Sequence, residues 1–299
     1  MKKYLLLPLL LLIACQQQIA DVPPTINAPT STSQPTQAVP TETVEAVLPT
    51  VEIPTATPVT FPAPAALPAG PISLIAIGDS LTQGDGDDSG RGYPGRLLEI
   101  ITPNRPGSTL SNFGKSGWSS DALINGDQGL PGQLGLAVGE VQAAAEQGRG
   151  AVVLVWIGSN DLWYLYEYGG DVTDAQEQED LQRYSANMDA ILTQLRGAGA
   201  QVIVALLDDQ SKRPVALKGE AFTAITQDEL ARMSVQAQRY NEVIVQKAAQ
   251  YGALTVDFYN TTIFINSATL YDDGNHPNQA GYDLIAQKWY EMLAQLLSS

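Results

Sequence analysis

Histidine and cysteine are almost absent, with one of each in 299 residues. A lone cysteine excludes an intrachain disulfide, and the pair cannot build a structural zinc site of the Cys/His type. Any imidazole chemistry must come from His276. Basic residues are also scarce: 16 Lys and Arg stand against 32 Asp and Glu, a formal net charge of −16. Binding phosphates needs clustered Lys and Arg, so this balance argues against a nucleic-acid partner. It argues equally against a folded domain held on anionic lipid by its own surface.

Two unlike stretches precede the first strand-like run. In residues 1–14, Lys2 and Lys3 form a positive start and Leu5 to Ile13 is apolar apart from Pro8. That run is shorter than the ~20 residues a spanning helix needs and reads as an export signal. It ends in Leu12-Ile13-Ala14-Cys15, which resembles a bacterial lipobox, with the only cysteine of the chain at the position that is lipidated. Residues 15–70 are a different material, holding 11 of the 19 prolines among Thr, Ala, Val and Glu, with no Lys or Arg and Phe61 as the only aromatic. Such a composition cannot bury enough apolar surface to fold. It favours extended polyproline II and reads as a spacer, with an O-glycosylated stalk as a variant of that reading. The expected product is an extracytoplasmic protein, anchored to a membrane through Cys15.

From residue 71 to 299 strand-like and helix-like runs alternate. Strands are expected at 73–77, 109–112, 151–157, 201–207 and 254–258, and helices at 93–101, 136–147, 180–196, 228–250 and 279–297. The apolar run Ala151 to Ile157 predicts a strand covered on both faces. Alternation over this length predicts one α/β domain, a mostly parallel sheet with helices on both sides. Ligands then bind beyond the carboxyl ends of the strands. The unusual loops all fall there: Gly78-Asp79-Ser80, then Asn112 to Ser120, then Gly158-Ser159-Asn160-Asp161, then Asp272 to Asn278.

These loops fit nucleophilic catalysis. A serine hydroxyl needs a base to take its proton, and His276 is the only imidazole. A carboxylate must orient that imidazole. Asp273 and Asp272 both lie close enough along the chain, and the spacing alone does not separate them. Backbone N–H groups between Lys115 and Trp118, and the Asn160 amide, are suitable donors to a developing oxyanion. Asp79 is expected to brace its turn rather than act in the chemistry. Asp85-Gly86-Asp87 begins like a calcium loop, but Arg96 stands where the bidentate Glu belongs, so no metal is expected there.

Taken together, the four loops resemble those of the SGNH (GDSL) hydrolases over residues from about 72 to 299. Gly78-Asp79-Ser80-Leu81 resembles the first family block, which implies Ser80 as nucleophile. Gly117, in Asn-x-Gly-x-Ser-Gly from Asn112, resembles the second-block glycine, and Asn160 the third-block asparagine. The implied oxyanion hole is then Ser80, Gly117 and Asn160. Asp273-Gly274-Asn275-His276 resembles the Asp-x-x-His block, which favours Asp273 over Asp272. The implied fold is a three-layer α/β/α sandwich, flavodoxin-like, on a five-stranded mostly parallel sheet. The Gly-x-Ser-x-Gly elbow of α/β-hydrolases is absent.

The resemblance implies a carboxylic ester hydrolase working through an acyl-enzyme, with neither cofactor nor metal. Short acyl esters, acetylated carbohydrate and lysophospholipid all fit as substrates. The alternatives are an O-acyltransferase with the same triad and a binding lipoprotein without turnover. A monomer is expected. Trp118 and Trp163 are candidates to wall a substrate groove. Residues 208–227 are too long for an ordinary connection and suggest a lid or specificity loop.

Overall fold

A computed structural model describes residues 61–219 and 222–297. These all lie in the second of the chain's two units, Thr57–Ser299. The expected signal, Cys15 and the spacer up to residue 60 lie outside the described residues. No helix among the described residues is long and apolar enough to cross a membrane.

Five strands form one sheet: β1 (Ile72–Gly78), β2 (Thr109–Asn112), β3 (Gly150–Trp156), β4 (Gln201–Ala205) and β5 (Leu254–Val256). Their order is β2-β1-β3-β4-β5 and every pairing is parallel. β1 pairs in register with β3 along its whole length, from Ile72 opposite Gly150 to Gly78 opposite Trp156. Apart from Ser73 near the start of β1, both strands are built of apolar residues and glycine, because helices cover both faces and leave little room for polar side chains. Each Ile, Leu or Val buried this way contributes about 1.5–3 kcal/mol. One layer holds α2 (Gly92–Ile101) against α9 (Gln279–Leu297), and the other holds α4 (Gln133–Glu146), α6 (Asp174–Gly197) and α8 (Gln227–Tyr251). Aromatic rings close the core between the sheet and α9. Trp156 stacks on Phe258 at 4.3 Å, and Tyr93 on Trp289 at 5.1 Å.

The chain leaves β1 for one side of the sheet and β3 for the other. That order makes a crevice between their carboxyl ends, where α/β folds bind ligands. The three-layer sandwich expected from the sequence is the architecture observed.

The expected elements differ from the observed ones in several places. α6 begins at Asp174, not 180, because Thr173 and Gln176 form a reciprocal capping box. The aromatic run after Asn160 is a helix, α5 (Ser159–Tyr168). Three more short helices, α1 (Ser80–Gln83), α3 (Ser120–Asn125) and α7 (Pro214–Lys218), follow β1, β2 and β4. The folded domain also starts before residue 71. Leu67 is buried and its N–H donates to Leu296 O at 2.7 Å. Arg196 Nη2 donates to Pro62 O at 2.9 Å, and Arg105 Nη1 to Pro68 O at 2.5 Å. Composition marks 61–70 as spacer, but two arginines of the domain need acceptors and proline-rich carbonyls supply them.

Candidate active site

β1 delivers Ser80. The strand ends at Gly78, where an added Cβ would lie 2.1 Å from Trp156 O, so no other residue fits. The Gly78 peptide is gripped by the buried Gln133 amide, which accepts from its N–H at 2.8 Å and donates to its carbonyl at 2.9 Å. Asp79 caps α1 by accepting from Leu81 N–H at 3.0 Å. Ser80 is thereby placed at the first position of a short helix, its side chain partly exposed.

The turn 272–276 delivers the base. Leu270 and Pro277 pair as an antiparallel bridge at its neck, and Tyr271 N–H donates to His276 O at 2.8 Å. Inside the turn, Asp273 Oδ1 accepts from the backbone N–H of Asn275 (2.8 Å) and of His276 (2.9 Å). Asp273 Oδ2 lies 2.6 Å from His276 Nδ1, and His276 Nε2 lies 3.0 Å from Ser80 Oγ. Asp273, not Asp272, is therefore the carboxylate on the ring. Burial pushes the Asp273 carboxyl up, but the bonds from the His276 ring and the two backbone N–H groups outweigh it and hold it at about 2. The Asp273 carboxylate is therefore charged at neutral pH.

Loop 112–120 lies against α1. Asn112 Nδ2 donates to Thr82 O (2.8 Å), Ser116 N–H to Gln83 Oε1 (2.9 Å), and Ser116 Oγ to Asp85 Oδ2 (2.8 Å). Gly117 has φ +77°, a left-handed conformation that costs a residue with a Cβ, and its carbonyl accepts from Tyr164 Oη at 2.6 Å. Asn160 Nδ2 donates to Trp118 O at 2.9 Å, which engages one of its two amide hydrogens and leaves the other. A third tie is Asp161, whose two oxygens accept from Ser120 N–H (2.8 Å) and Ser120 Oγ (2.6 Å). Burial, against those two bonds, pushes the Asp161 carboxyl up to about 6. The loops after β2 and β3 are thus bound to one another at Gly117, Trp118 and Ser120. The backbone N–H groups of Ser80 and Gly117 donate to no acceptor among the described residues.

The tryptophans do not wall this site. Trp118 and Trp163 are each only 2 % exposed. Trp163 stacks on Phe222 at 4.0 Å within a small second core with Tyr166, Val172, Val215 and Met233. A large ring on the inward side of α5 is more stable buried than in a wet groove. The exposed aromatics on α5 and beside the histidine turn are tyrosines instead: Tyr164, Tyr168 and Tyr271. The stretch 208–219 is not an open lid either. Asp208, Gln210 and Arg213 are buried, and Val215 N–H donates to Gly274 O at 3.1 Å, beneath the histidine turn. Among the described residues no group of three or more His, Cys, Asp or Glu side chains is arranged to hold a metal ion.

A model of the GDSL-like lipase/acylhydrolase family matches residues 76–284, from inside β1 into α9. The chain belongs to that family. As a GDSL-type protein it is a carboxylic ester hydrolase. YpmR of Bacillus subtilis (strain 168), an uncharacterised protein, is 24 % identical over 229 residues, which are 74 % of this chain and 81 % of YpmR. A multidomain esterase of Ruminococcus flavefaciens is 22 % identical over 253 residues, 77 % of this chain but 29 % of that much longer protein. The lipase Lip_vut3 from a goat rumen metagenome shares the fold, with a TM-score of 0.53 and 19 % identity over 74 % of this chain and 97 % of its own.

Within this GDSL-type domain, sequence reasoning missed the supports of the site. Gln133, Asp161, Tyr164 and Arg213 carry no motif of their own that marks them as neighbours of Ser80. Asp161 stood beside Asn160 in a loop already singled out, and adjacency was the one available signal.

Proposed function

We propose that this GDSL-type domain is a serine esterase acting through Ser80, His276 and Asp273. The observation that carries the proposal is the continuous line from Asp273 Oδ2 to His276 Nδ1 (2.6 Å) and from His276 Nε2 to Ser80 Oγ (3.0 Å). In the proposed reaction His276 Nε2 takes the Ser80 proton as Oγ attacks the ester carbonyl. Asp273 keeps Nδ1 protonated, so that Nε2 presents its lone pair, and stabilises the imidazolium that forms. The tetrahedral oxyanion is held by the N–H groups of Ser80 and Gly117 and the second Asn160 amide hydrogen. Each such donor contributes about 3–4 kcal/mol to the transition state. His276 then passes its proton to the leaving alcohol, and water attacks the acyl-Ser80 by the same path in reverse. We further read Cys15 as lipidated, which holds the domain outside the cytoplasm on a proline-rich tether. The support for that is the residue pattern of 1–70.

The test is kinetic. Ser80→Ala and His276→Ala are each expected to lower kcat on p-nitrophenyl acetate by about 10⁴–10⁶, as members of one unit do. A fluorophosphonate is expected to label the wild-type protein on Ser80 alone. Near-native turnover by either variant, or labelling that survives Ser80→Ala, overturns the reading.

A further inference from the structure

The segment that looks like a lid from its length carries a buried ion pair aimed at the histidine turn. Arg213 is 2 % exposed, and its guanidinium lies over the Phe264 ring, 4.7 Å from the centroid. Nε and Nη2 donate to the two oxygens of Asp208, at 2.8 and 2.6 Å, a bidentate pair that is neutral overall. Nη1 then donates to Asn275 Oδ1 at 2.8 Å. Asn275 is the residue before His276, and its Nδ2 lies 3.5 Å from His276 Nε2. That is the ring nitrogen that faces Ser80.

A guanidinium has donors only, so it can be met only by the oxygen of the Asn275 amide. This determines which way the amide points, with its NH2 end toward Nε2. Released from Arg213, the amide has two wrong options. It can swing in and donate to the Nε2 lone pair that Ser80 Oγ–H occupies. It can also flip and present oxygen, which favours a proton on Nε2 and so the tautomer that cannot accept from Ser80. Held at 2.8 Å by a buried cation, it stays 3.5 Å from Nε2, at the outer limit of a hydrogen bond and farther than Ser80 Oγ, with its oxygen turned away. Val215 N–H on Gly274 O adds a second tie two residues along, so the 213–215 backbone and side chain grip the turn together.

We propose that Arg213, braced by Asp208, is a positioning residue for the base: it orients the Asn275 amide and thereby keeps His276 Nε2 open to Ser80. The inference rests on the triad reading above and assigns a role to a segment that the family blocks do not contain.

The test compares Arg213→Met, Asp208→Asn/Arg213→Met, Asn275→Ala and Arg213→Met/Asn275→Ala with the wild type. Each is measured for kcat and KM on p-nitrophenyl acetate, for the rate of Ser80 phosphonylation, and for its melting temperature. The Asp208→Asn/Arg213→Met form removes both charges of the pair, so neither partner is left as an unpaired buried ion, and it carries the test if Arg213→Met does not fold. Misplacing a catalytic group slightly costs about 10–100-fold. Removing Arg213 is therefore expected to lower kcat and the phosphonylation rate together by about that factor, with KM within about 2-fold. In the Asn275→Ala background the same removal is expected to cost less than about 3-fold more, since residues acting through one partner are not additive. Folded Arg213 variants with kcat within about 2-fold of wild type, or losses that multiply in the combined variant, overturn it. Ser80→Ala, run alongside, separates the cases: if it stays active the triad reading fails, whatever Arg213 does.

Discussion

Asp79 stands beside the nucleophile and is fully buried, yet only one of its oxygens is used. Oδ1 accepts from Leu81 N–H, while Oδ2 has no hydrogen-bond partner. Burial pushes its carboxyl up from 3.8 to about 6, against the pull of the Leu81 bond and of the Arg213 and His276 charges. A rise of about 2 pH units corresponds to about 3 kcal/mol between the two protonation states. The sign follows from linkage: the folded state binds this proton more tightly than the unfolded state does. The cost of the buried carboxylate is therefore absent below the unfolded value near 3.8, grows as pH rises through the folded value, and is complete above it. Asp79→Asn keeps the Leu81 acceptor and cannot ionise. The stability of the variant relative to wild type is then expected to improve by about 1–2 kcal/mol between pH 5 and pH 8. Urea unfolding of both proteins at pH 5, 6, 7 and 8 measures this difference. The subtraction removes most of the contribution of Asp161, which titrates in the same range and is coupled to Asp79. Its absolute sign at any one pH also contains the cost of an unpartnered amide N–H, so the slope is the diagnostic quantity. A relative stability flat to within about 0.3 kcal/mol over that window refutes the argument that burial raises this carboxyl.

Two further outcomes follow from contacts already described. Tyr164→Phe removes the hydroxyl bonded to Gly117 O and is expected to lower kcat about 3–10-fold with KM little changed, since one hydrogen bond contributes about 1 kcal/mol; an unchanged kcat shows that Gly117 is held without it. A chain starting at Ile72 loses the buried Leu67 and the carbonyls taken by Arg105 and Arg196. Its unfolding free energy is expected to fall about 2–4 kcal/mol below that of a chain starting at Thr57, by urea titration, and equal stability contradicts a packed role for 61–70.

What could be read in advance follows from where each interaction is encoded. β1 and β3 are legible because burial on both faces makes them almost wholly apolar, with Ser73 the one polar residue. His276 is legible because nothing competes with it. Asp273 is half legible: spacing alone leaves Asp272 as a rival, the resemblance to the Asp-x-x-His block points to Asp273, and the turn sets Asp273 Oδ2 against the ring. Elements that depend on caps are read poorly when the cap is overlooked. Thr173 and Gln176 mark the start of α6 six residues before its apolar periodicity becomes clear.

The misread residues share a different cause. Trp118 and Trp163 are large and apolar, and a one-dimensional pattern does not say whether a ring beside a catalytic loop faces the crevice or the core. Burial decides, and it sends both inward while leaving tyrosines outside. The expectation of a lid or specificity loop at 208–227 rests on length alone. Length says that a segment has work beyond connecting β4 to α8, but not which surface it covers. That surface is settled by Arg213, which lies 62 positions from Asn275 and meets it only because the turn after β5 folds back beyond the carboxyl end of β4. A catalytic motif is compact in sequence because one loop supplies its atoms. The groups that hold such a loop come from neighbouring strands, so in a parallel sheet they lie a whole crossover away. Supports of this kind are therefore found through the sheet order, not through the motif.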